Sequence, residues 1–395
     1  MLNFLVAFGN IQLSCGQGTW IQKADFTNPR LLAFSFSING YGYIGRGVYA
    51  NGVHDFWRYD PVNNSWTQMA MPSTEGFVWV VGFADSTNGY AGTGRTLGGD
   101  ASNDFWQYLP DSNIWIQKTN LPGPLRAGAF GFFAGGFGYL GGGSNTDSTV
   151  YYNDFYKYDP LANSWTAVAS CPLSLRSPGT FTVNGNGYVV CGKDGNLWFT
   201  SETWEYDPVL DTWNQRADFP GIARYEPGSF AMNGKGYVGA GYRDSTVGYN
   251  DFYEYDPLAD TWTLISPYAG TGARGPAGFA IDGKGYLAGG GSSWGIGTSE
   301  LWEFSFDPSS VKESGMRKEF PIYYNTVTHE LTAGNLSSSE NRIRLEIYNL
   351  TGEVVYEKVV NNGSATINVE SFPAGVYFVN IVSKESRQVE KIFIE

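Results

Sequence analysis

Asn153-Asp154-Phe155-Tyr156-Lys157-Tyr158-Asp159-Pro160, followed by Trp165, is the cleanest copy of a phrase that the chain writes six times. It returns as Asp55-Phe56-Trp57-Arg58-Tyr59-Asp60-Pro61 with Trp66, and as Asp104-Phe105-Trp106-Gln107-Tyr108-Leu109-Pro110 with Trp115. Two more copies are Glu202-Thr203-Trp204-Glu205-Tyr206-Asp207-Pro208 with Trp213 and Asp251-Phe252-Tyr253-Glu254-Tyr255-Asp256-Pro257 with Trp262. In all five the tyrosine precedes the tryptophan by 7 residues, as Tyr158 precedes Trp165. Alternating aromatics predict a strand, Asp-Pro a fixed turn, and the tryptophan an anchor on the returning strand. The sixth copy, Trp302-Glu303-Phe304-Ser305-Phe306-Asp307-Pro308, has Glu313 where the tryptophan belongs, while Trp20 stands unpaired near the start.

Working outward, Trp20, Trp66, Trp115, Trp165, Trp213 and Trp262 are separated by 46, 49, 50, 48 and 49 residues. A period near fifty built of strands predicts propeller blades. Each repeat also holds a two-residue turn (Asn39-Gly40, Asn88-Gly89, Gly135-Gly136, Asn184-Gly185, Asn233-Gly234 or Asp282-Gly283), which favours a tight hairpin. A Gly-Tyr strand such as Gly138-Tyr139-Leu140 follows, ending in glycines, so that four antiparallel strands are expected per repeat. The strand carrying Trp20 is expected to complete the blade of Phe304 and Phe306, leaving no long free sheet edge.

These residues resemble the kelch family of β-propellers over residues 17–308. The resemblance rests on the glycine pair, the Tyr-Asp-Pro turn and the tryptophan at fixed distance. It departs at Gly45/Gly47, Gly92/Gly94, Gly239/Gly241 and Cys191-Gly192. The expected fold is all-β, a six-bladed propeller closed by its N-terminal strand and followed by a small β-sandwich.

Composition supports this class. The 395 residues include 52 glycines, 16% aromatics and only 16% charged residues, and no apolar pattern of helical period is sustained. A net charge of −13 argues against nucleic acid, and no stretch reaches the roughly 18 apolar residues of a membrane span. Three cysteines make no disulfide framework; Cys171 and Cys191 are either one bridge or two free thiols.

Residues 1–16, with the apolar run Phe4-Leu5-Val6-Ala7-Phe8 and Cys15, read as a signal or leader. Residues 309–316 read as a linker, and from residue 317 the composition changes. Arg342-Ile343-Arg344-Leu345-Glu346-Ile347-Tyr348 alternates strictly, placing Ile343, Leu345 and Ile347 on one face. Ala365 to Val369, Val376 to Val382 and Lys391 to Ile394 are further predicted strands, with turns at 350–353 and 361–363. This tail resembles the C-terminal sorting domain of the type IX secretion system. The similarity lies in Ile347-Tyr348-Asn349-Leu350-Thr351-Gly352-Glu353, Phe372-Pro373-Ala374-Gly375-Val376-Tyr377 and Lys391-Ile392-Phe393. The opening Tyr323-Tyr324-Asn325 lacks the prolines usual there. The resemblance implies the type IX machinery as a partner and export to the outer surface, or beyond, of a Gram-negative cell.

Catalytic signatures are scarce. His54 and His329, the two histidines, fall in different domains, which speaks against copper or zinc sites, and no cofactor is expected. Gly291-Ser292-Ser293-Trp294-Gly295 has the pattern of a nucleophile elbow without the strand-turn-helix context. Asp55, Asp104, Asp154 and Asp251 recur at identical places, as calcium ligands or, better, as turn and strand-start hydrogen-bonding groups. Arg30, Arg126, Arg176, Arg224 and Arg274 precede the Gly-Tyr tyrosine of their repeats by 13, 13, 12, 13 and 12 residues; Glu75 and Phe77 lie near that place in the second repeat. Two readings stay open. Either the guanidinium groups converge with Glu75 at the channel mouth on a carboxylate, or each arginine caps its own blade by bonding backbone carbonyls. The function expected is a secreted, non-enzymatic propeller binding a protein or glycan, the ligand anionic if the arginines converge. The alternative is a small-molecule enzyme of the sialic acid mutarotase kind, which some bacterial kelch propellers are.

Overall fold

In the third repeat, strands Phe130–Ala134, Phe137–Gly141, Phe155–Asp159 and Ser164–Val168 pair in that order as one antiparallel sheet. The aromatic strand is buried on both sides, which explains why its pattern is not simply polar-out. Phe155 packs toward Tyr206 and Trp213 of the following sheet. Tyr158 packs toward Tyr90 and Phe105 of the preceding one. The computed structural model describes residues 18–48, 54–71, 77–96, 98–196, 198–243, 248–293, 296–306, 322–325, 328–336, 343–349, 354–360, 363–382 and 387–394. The leader with Cys15, the linker, Glu75 and the turn at 350–353 lie outside them. No α-helix occurs among the described residues.

Five further sheets repeat the pattern, with inner strands Phe34–Ile38, Val81–Ala84, Gly179–Val183, Gly228–Met232 and Ala277–Ile281. The sheet of the second repeat gains a short extra strand, Phe77–Val78. In the sheet of the last repeat the outer strand is Thr19–Gln22, pairing with Leu301–Ser305 so that Trp20 faces Phe304. The inner strands of all six sheets line one channel of about 460 Å³.

The tryptophans tie neighbouring sheets together through polar bonds as well as apolar area. The indole N–H of Trp165 donates to Thr119 O at 2.8 Å, Trp115 to Ala70 O at 2.9 Å and Trp66 to Ala24 O at 2.7 Å. Trp213, Trp262 and Trp20 donate likewise to Ala169 O, Ala217 O and Ser266 O. Every acceptor lies one or two residues past the outer strand of the preceding sheet, and for Trp66 that strand is Thr19–Gln22. A second device uses the tyrosine. Tyr158 donates its hydroxyl to Asn163 Oδ1 at 2.9 Å, and the same oxygen accepts the backbone N–H of Thr119 across the junction. Asn64, Asn113, Asp211 and Asp260 repeat this bridge, each with positive φ.

The chain divides into two compact bodies, Met1–Ser310 and Val311–Glu395. Within the second, Ile322–Asn325, Glu330–Leu336 and Gly363–Asn368 form one sheet. Val354–Val360, Ile343–Tyr348, Gly375–Val382 and Arg387–Ile394 form the other, in that order. Ile343, Leu345 and Ile347 are fully buried, as their alternation required, and share one core with Leu331, Ile367 and Val379.

Cys171 and Cys191 are free and buried in different core clusters, so the bridge between them is not formed. Burial pushes both thiols up to about 12, which leaves them protonated and unreactive at neutral pH.

Candidate functional site at the channel mouth

Where each inner strand begins, Leu32, Trp79, Gly128, Ser177, Glu226 and Gly275 line one end of the channel. All six have positive φ, between 48° and 65°. Leu32, Gly275, Glu226, Ser177 and Gly128 each donate a backbone N–H to the equivalent carbonyl of the neighbouring sheet, to Gly275, Glu226, Ser177, Gly128 and Trp79 in turn. Bulky residues seldom accept this backbone, at a cost of order 1–3 kcal/mol. Here the N–H groups that it turns sideways find acceptors around the ring.

Just beyond, each sheet adds a short pairing: Leu31 with Val48, Val78 with Arg95, Ala127 with Ser144, Arg176 with Lys193, Tyr225 with Tyr242, and Arg274 with Gly291. This collar separates the five arginines. Arg30, Arg126 and Arg224 stand two positions before the ring residues Leu32, Gly128 and Glu226. Arg176 and Arg274 stand one position before Ser177 and Gly275. Neighbouring residues of an extended backbone point to opposite sides, so one residue of offset sends the side chains to different places.

Arg30, Arg126 and Arg224 are wholly buried, at 0% exposure, and turned away from the mouth. Arg126 meets Asp154 with two bonds of 2.6 Å and donates to Gly142 O at 3.0 Å. Arg224 meets Asp251 at 2.6 and 2.8 Å and Ala240 O at 2.9 Å. Arg30 pairs with Asp55 at 2.6 Å and donates to Arg46 O at 3.2 Å. The ring of five convergent arginines is therefore corrected: these three cap their own sheets, because a buried guanidinium takes the nearest carboxylate and carbonyls. The recurring acids Asp55, Asp154 and Asp251 are their partners. In the fourth and sixth repeats, where the arginine has moved by one residue, the acid is glutamate. Glu202 and Glu300 then accept the indole N–H of Trp204 and Trp302 at 2.8 and 3.0 Å.

The other two arginines reach the mouth. The indole of Trp79 extends to the opposite sheet, donating to Glu226 Oε1 at 3.0 Å. Arg274 donates to Glu226 Oε2 at 3.2 Å, bonds the Tyr242 hydroxyl and stacks 3.7 Å from the Tyr242 ring centre. The Arg176 guanidinium lies 4.6 Å from the centre of the Trp79 ring, and that of Arg95 5.5 Å. Arg176 reaches Ser148 Oγ at 3.3 Å, but its Nε, the Nε of Arg95 and the Ser177 hydroxyl are buried without a hydrogen-bond partner among the described residues. Burial, then the neighbouring Arg176, lowers the pKa of Arg95. Burial raises that of Glu226, and Arg274, Trp79 and Arg176 offset this only in part. Three cations thus crowd one carboxylate and one indole.

A raised acid in the folded state has a definite pH signature. Its stabilising contribution is complete below the pKa of the unfolded chain and is lost as pH rises through the higher folded value. Glu226→Gln should therefore flatten the fall in melting temperature from about pH 4.3 upward. An unchanged slope would show that Glu226 titrates as an ordinary carboxylate.

Trp79, Arg95, Glu226 and Tyr242 are site residues missing from the expected set. A signal existed: 11 positions before each Gly-Tyr tyrosine the repeats read Leu32, Trp79, Gly128, Ser177, Glu226 and Gly275, a column with no structural consensus. His54 is exposed. Among the described residues no group of three or more His, Cys, Asp or Glu is placed to hold a metal.

Known proteins agree with this architecture. The solved structure titled "Structure of YjhT" superposes with a TM-score of 0.62 over 71% of this chain and 95% of that one, at 14% identity, a likeness of fold. The first body is thus an all-β structure of the propeller kind that the kelch-like repeats imply. Residues 323–395 match the family described as the secretion system C-terminal sorting domain, so the chain ends in a type IX sorting domain, which marks it for secretion or surface attachment. Over 81 residues the chain is 36% identical to the N-acetylneuraminate epimerases of Shigella flexneri and Escherichia coli K12. That stretch covers 20% of this chain and only 22% of each relative.

Proposed function

We propose that residues 17–308 are a closed six-bladed kelch-type propeller whose channel mouth binds a carboxylate-bearing ligand. On this reading the sorting domain delivers it to the surface of a Gram-negative cell or beyond. The observation that carries the reading is a pair of buried guanidinium nitrogens, Arg95 Nε and Arg176 Nε, that lack a hydrogen-bond partner among the described residues and lie beside the Trp79 ring. Buried donors without acceptors are rare, and charged ones most favour an anionic oxygen. The indole supplies an apolar face beside them, which suits a sugar acid better than inorganic phosphate. Binding without turnover is preferred, since one carboxylate held by an arginine is sparse machinery for catalysis.

The test is calorimetric titration with N-acetylneuraminate and with galacturonate. The double variant Arg95→Ala, Arg176→Ala should weaken binding at least about 100-fold, two lost charged contacts of ~1.5–3 kcal/mol each. It should leave the melting temperature within a few degrees of the parent. Wild-type affinity in the double variant would place the site elsewhere. The second reading, an epimerase of sugar acids, is favoured by the raised pKa of Glu226 beside Arg274. It requires acceleration of anomer exchange by NMR, lost in Glu226→Gln.

A further inference from the structure

Arg176 and Ser177 are consecutive, and along a regular extended strand their side chains would point to opposite sides. Ser177 has a φ of 48°, which breaks that alternation and brings both side chains over one spot on the neighbouring sheet, Gly128. A Cβ placed on Gly128 would stand 2.7 Å from Arg176 Cγ, 2.9 Å from Arg176 Nε and 2.8 Å from Ser177 Oγ. The backbone alone does not call for glycine there. Leu32, Trp79, Ser177 and Glu226 hold the same left-handed conformation at the same ring place with side chains, at φ of 48° to 60°. Glycine is required by the arginine, whose stem lies across the bare α-carbon. Gly275, the other ring glycine, makes room for something different, since a Cβ there would meet Leu32 Cδ2 at 2.6 Å.

Two further contacts hold the Arg176 guanidinium: the Trp79 ring, 4.6 Å away, and Ser148 Oγ, which accepts from a terminal nitrogen at 3.3 Å. This seat leaves two donors beside the same point, Arg176 Nε and the Ser177 hydroxyl, both buried and without a hydrogen-bond partner among the described residues. Such groups cost stability as they stand, and one anionic oxygen would satisfy both. We infer that Arg176 Nε and Ser177 Oγ are a two-donor clamp for one carboxylate oxygen, that Gly128 is the positioning residue that seats it, and that the mouth takes free sugar acids and rejects their esters. The inference rests on the mouth being a carboxylate site. An ester keeps a carbonyl oxygen but carries no charge, so it leaves the crowded guanidinium groups uncompensated.

The experiment titrates the full chain with galacturonate, with N-acetylneuraminate and with the methyl ester of each carboxylate. For whichever acid binds, the ester should bind at least about tenfold more weakly. Ser177→Ala should weaken the acid about tenfold, one hydrogen bond to a charged group. It should leave the melting temperature of the ligand-free chain unchanged, because the hydroxyl it removes bonds nothing there. Gly128→Ala should weaken the acid at least about tenfold. Gly275→Ala, which carries the same backbone strain away from the arginines, should leave its Kd within about twofold. Parent affinity in both Ser177→Ala and Gly128→Ala overturns the clamp, while loss of binding in the Arg95→Ala, Arg176→Ala variant keeps the mouth reading standing. Equal weakening by Gly128→Ala and Gly275→Ala overturns the seat, since distortion of the ring then explains both. Should Gly128→Ala not fold, Ser177→Ala decides alone. An ester that binds as tightly as its acid overturns the selectivity. If the parent binds neither acid, the mouth reading falls and takes this inference with it.

Discussion

Replacing Arg30 with alanine is expected to destabilise the first body by about 3–5 kcal/mol, the cost of leaving one charge of a buried pair uncompensated. Arg30 has 0% side-chain exposure and its partner Asp55 only 6%, so the carboxylate left behind cannot rehydrate without opening the structure. The same substitution at Arg126 or Arg224 should cost less, since Asp154 and Asp251 keep 30% and 29% exposure and regain water more easily. The carbonyls of Arg46, Gly142 and Ala240 lose a donor in each case, which adds to all three. Arg176→Ala should change stability by no more than about 1 kcal/mol, because among the described residues that side chain makes no ion pair and has one long bond to Ser148. Denaturant titration of the four single variants checks the order Arg30, then Arg126 and Arg224, then Arg176. If Arg176→Ala proves as costly as Arg30→Ala, the division between structural and mouth arginines is wrong.

That division was present in the amino-acid sequence as a difference of one residue. The distances of 13 and 12 from arginine to tyrosine separate the buried arginines from the mouth arginines without exception. Treated as scatter, they suggest one ring; read as a strand register, they give two sets, since each step along an extended chain reverses the side. The partners Asp55, Asp154 and Asp251 were legible too, but a pairing across some 25 residues is not deducible from either column alone. The strands, turns and tryptophan anchors were far easier to read, because each is a local pattern stated six times over. Glu226 and Trp79 illustrate the opposite limit. They stand 147 residues apart and touch only because the sheets bring their ring positions face to face. Positions that a repeat does not need for folding are free to differ between copies, and there the groups of the proposed mouth site stand. The hydroxyl bridges are a third case. Tyr158 and Asn163 lie close in sequence, yet the backbone N–H of Thr119 that completes the bridge belongs to another repeat.

Trp20→Ala is expected to lower stability by about 3–5 kcal/mol, the usual cost of removing a large aromatic from a packed site, and by nearly as much as Trp262→Ala. Trp20 stands edge-on to Phe252 and Tyr268, each 5.2 Å away, and 5.0 Å from Phe304, while its N–H donates to Ser266 O at 3.1 Å. Trp262 makes the corresponding contacts with Tyr255 of its own sheet and with Phe219 and Ala217 O, which follow the outer strand of the preceding one. The equivalence matters because Trp20 comes from the opposite end of this body's sequence. If the Thr19–Gln22 strand takes the outermost place of the last sheet, its loss weakens the junctions on both sides. Phe304 loses its strand partner, and Trp66 loses the carbonyl of Ala24 that accepts its N–H. Removing residues 18–24 should then do more than the single substitution: it should broaden the thermal transition and expose the last sheet to proteolysis first, as an unpaired edge and an unfilled aromatic site allow local opening. A chain lacking these residues that melts at the parent temperature, with an equally sharp transition, would show that the first and last repeats are not joined through this strand. Equal melting of Trp20→Ala and the parent would show the same for its anchor.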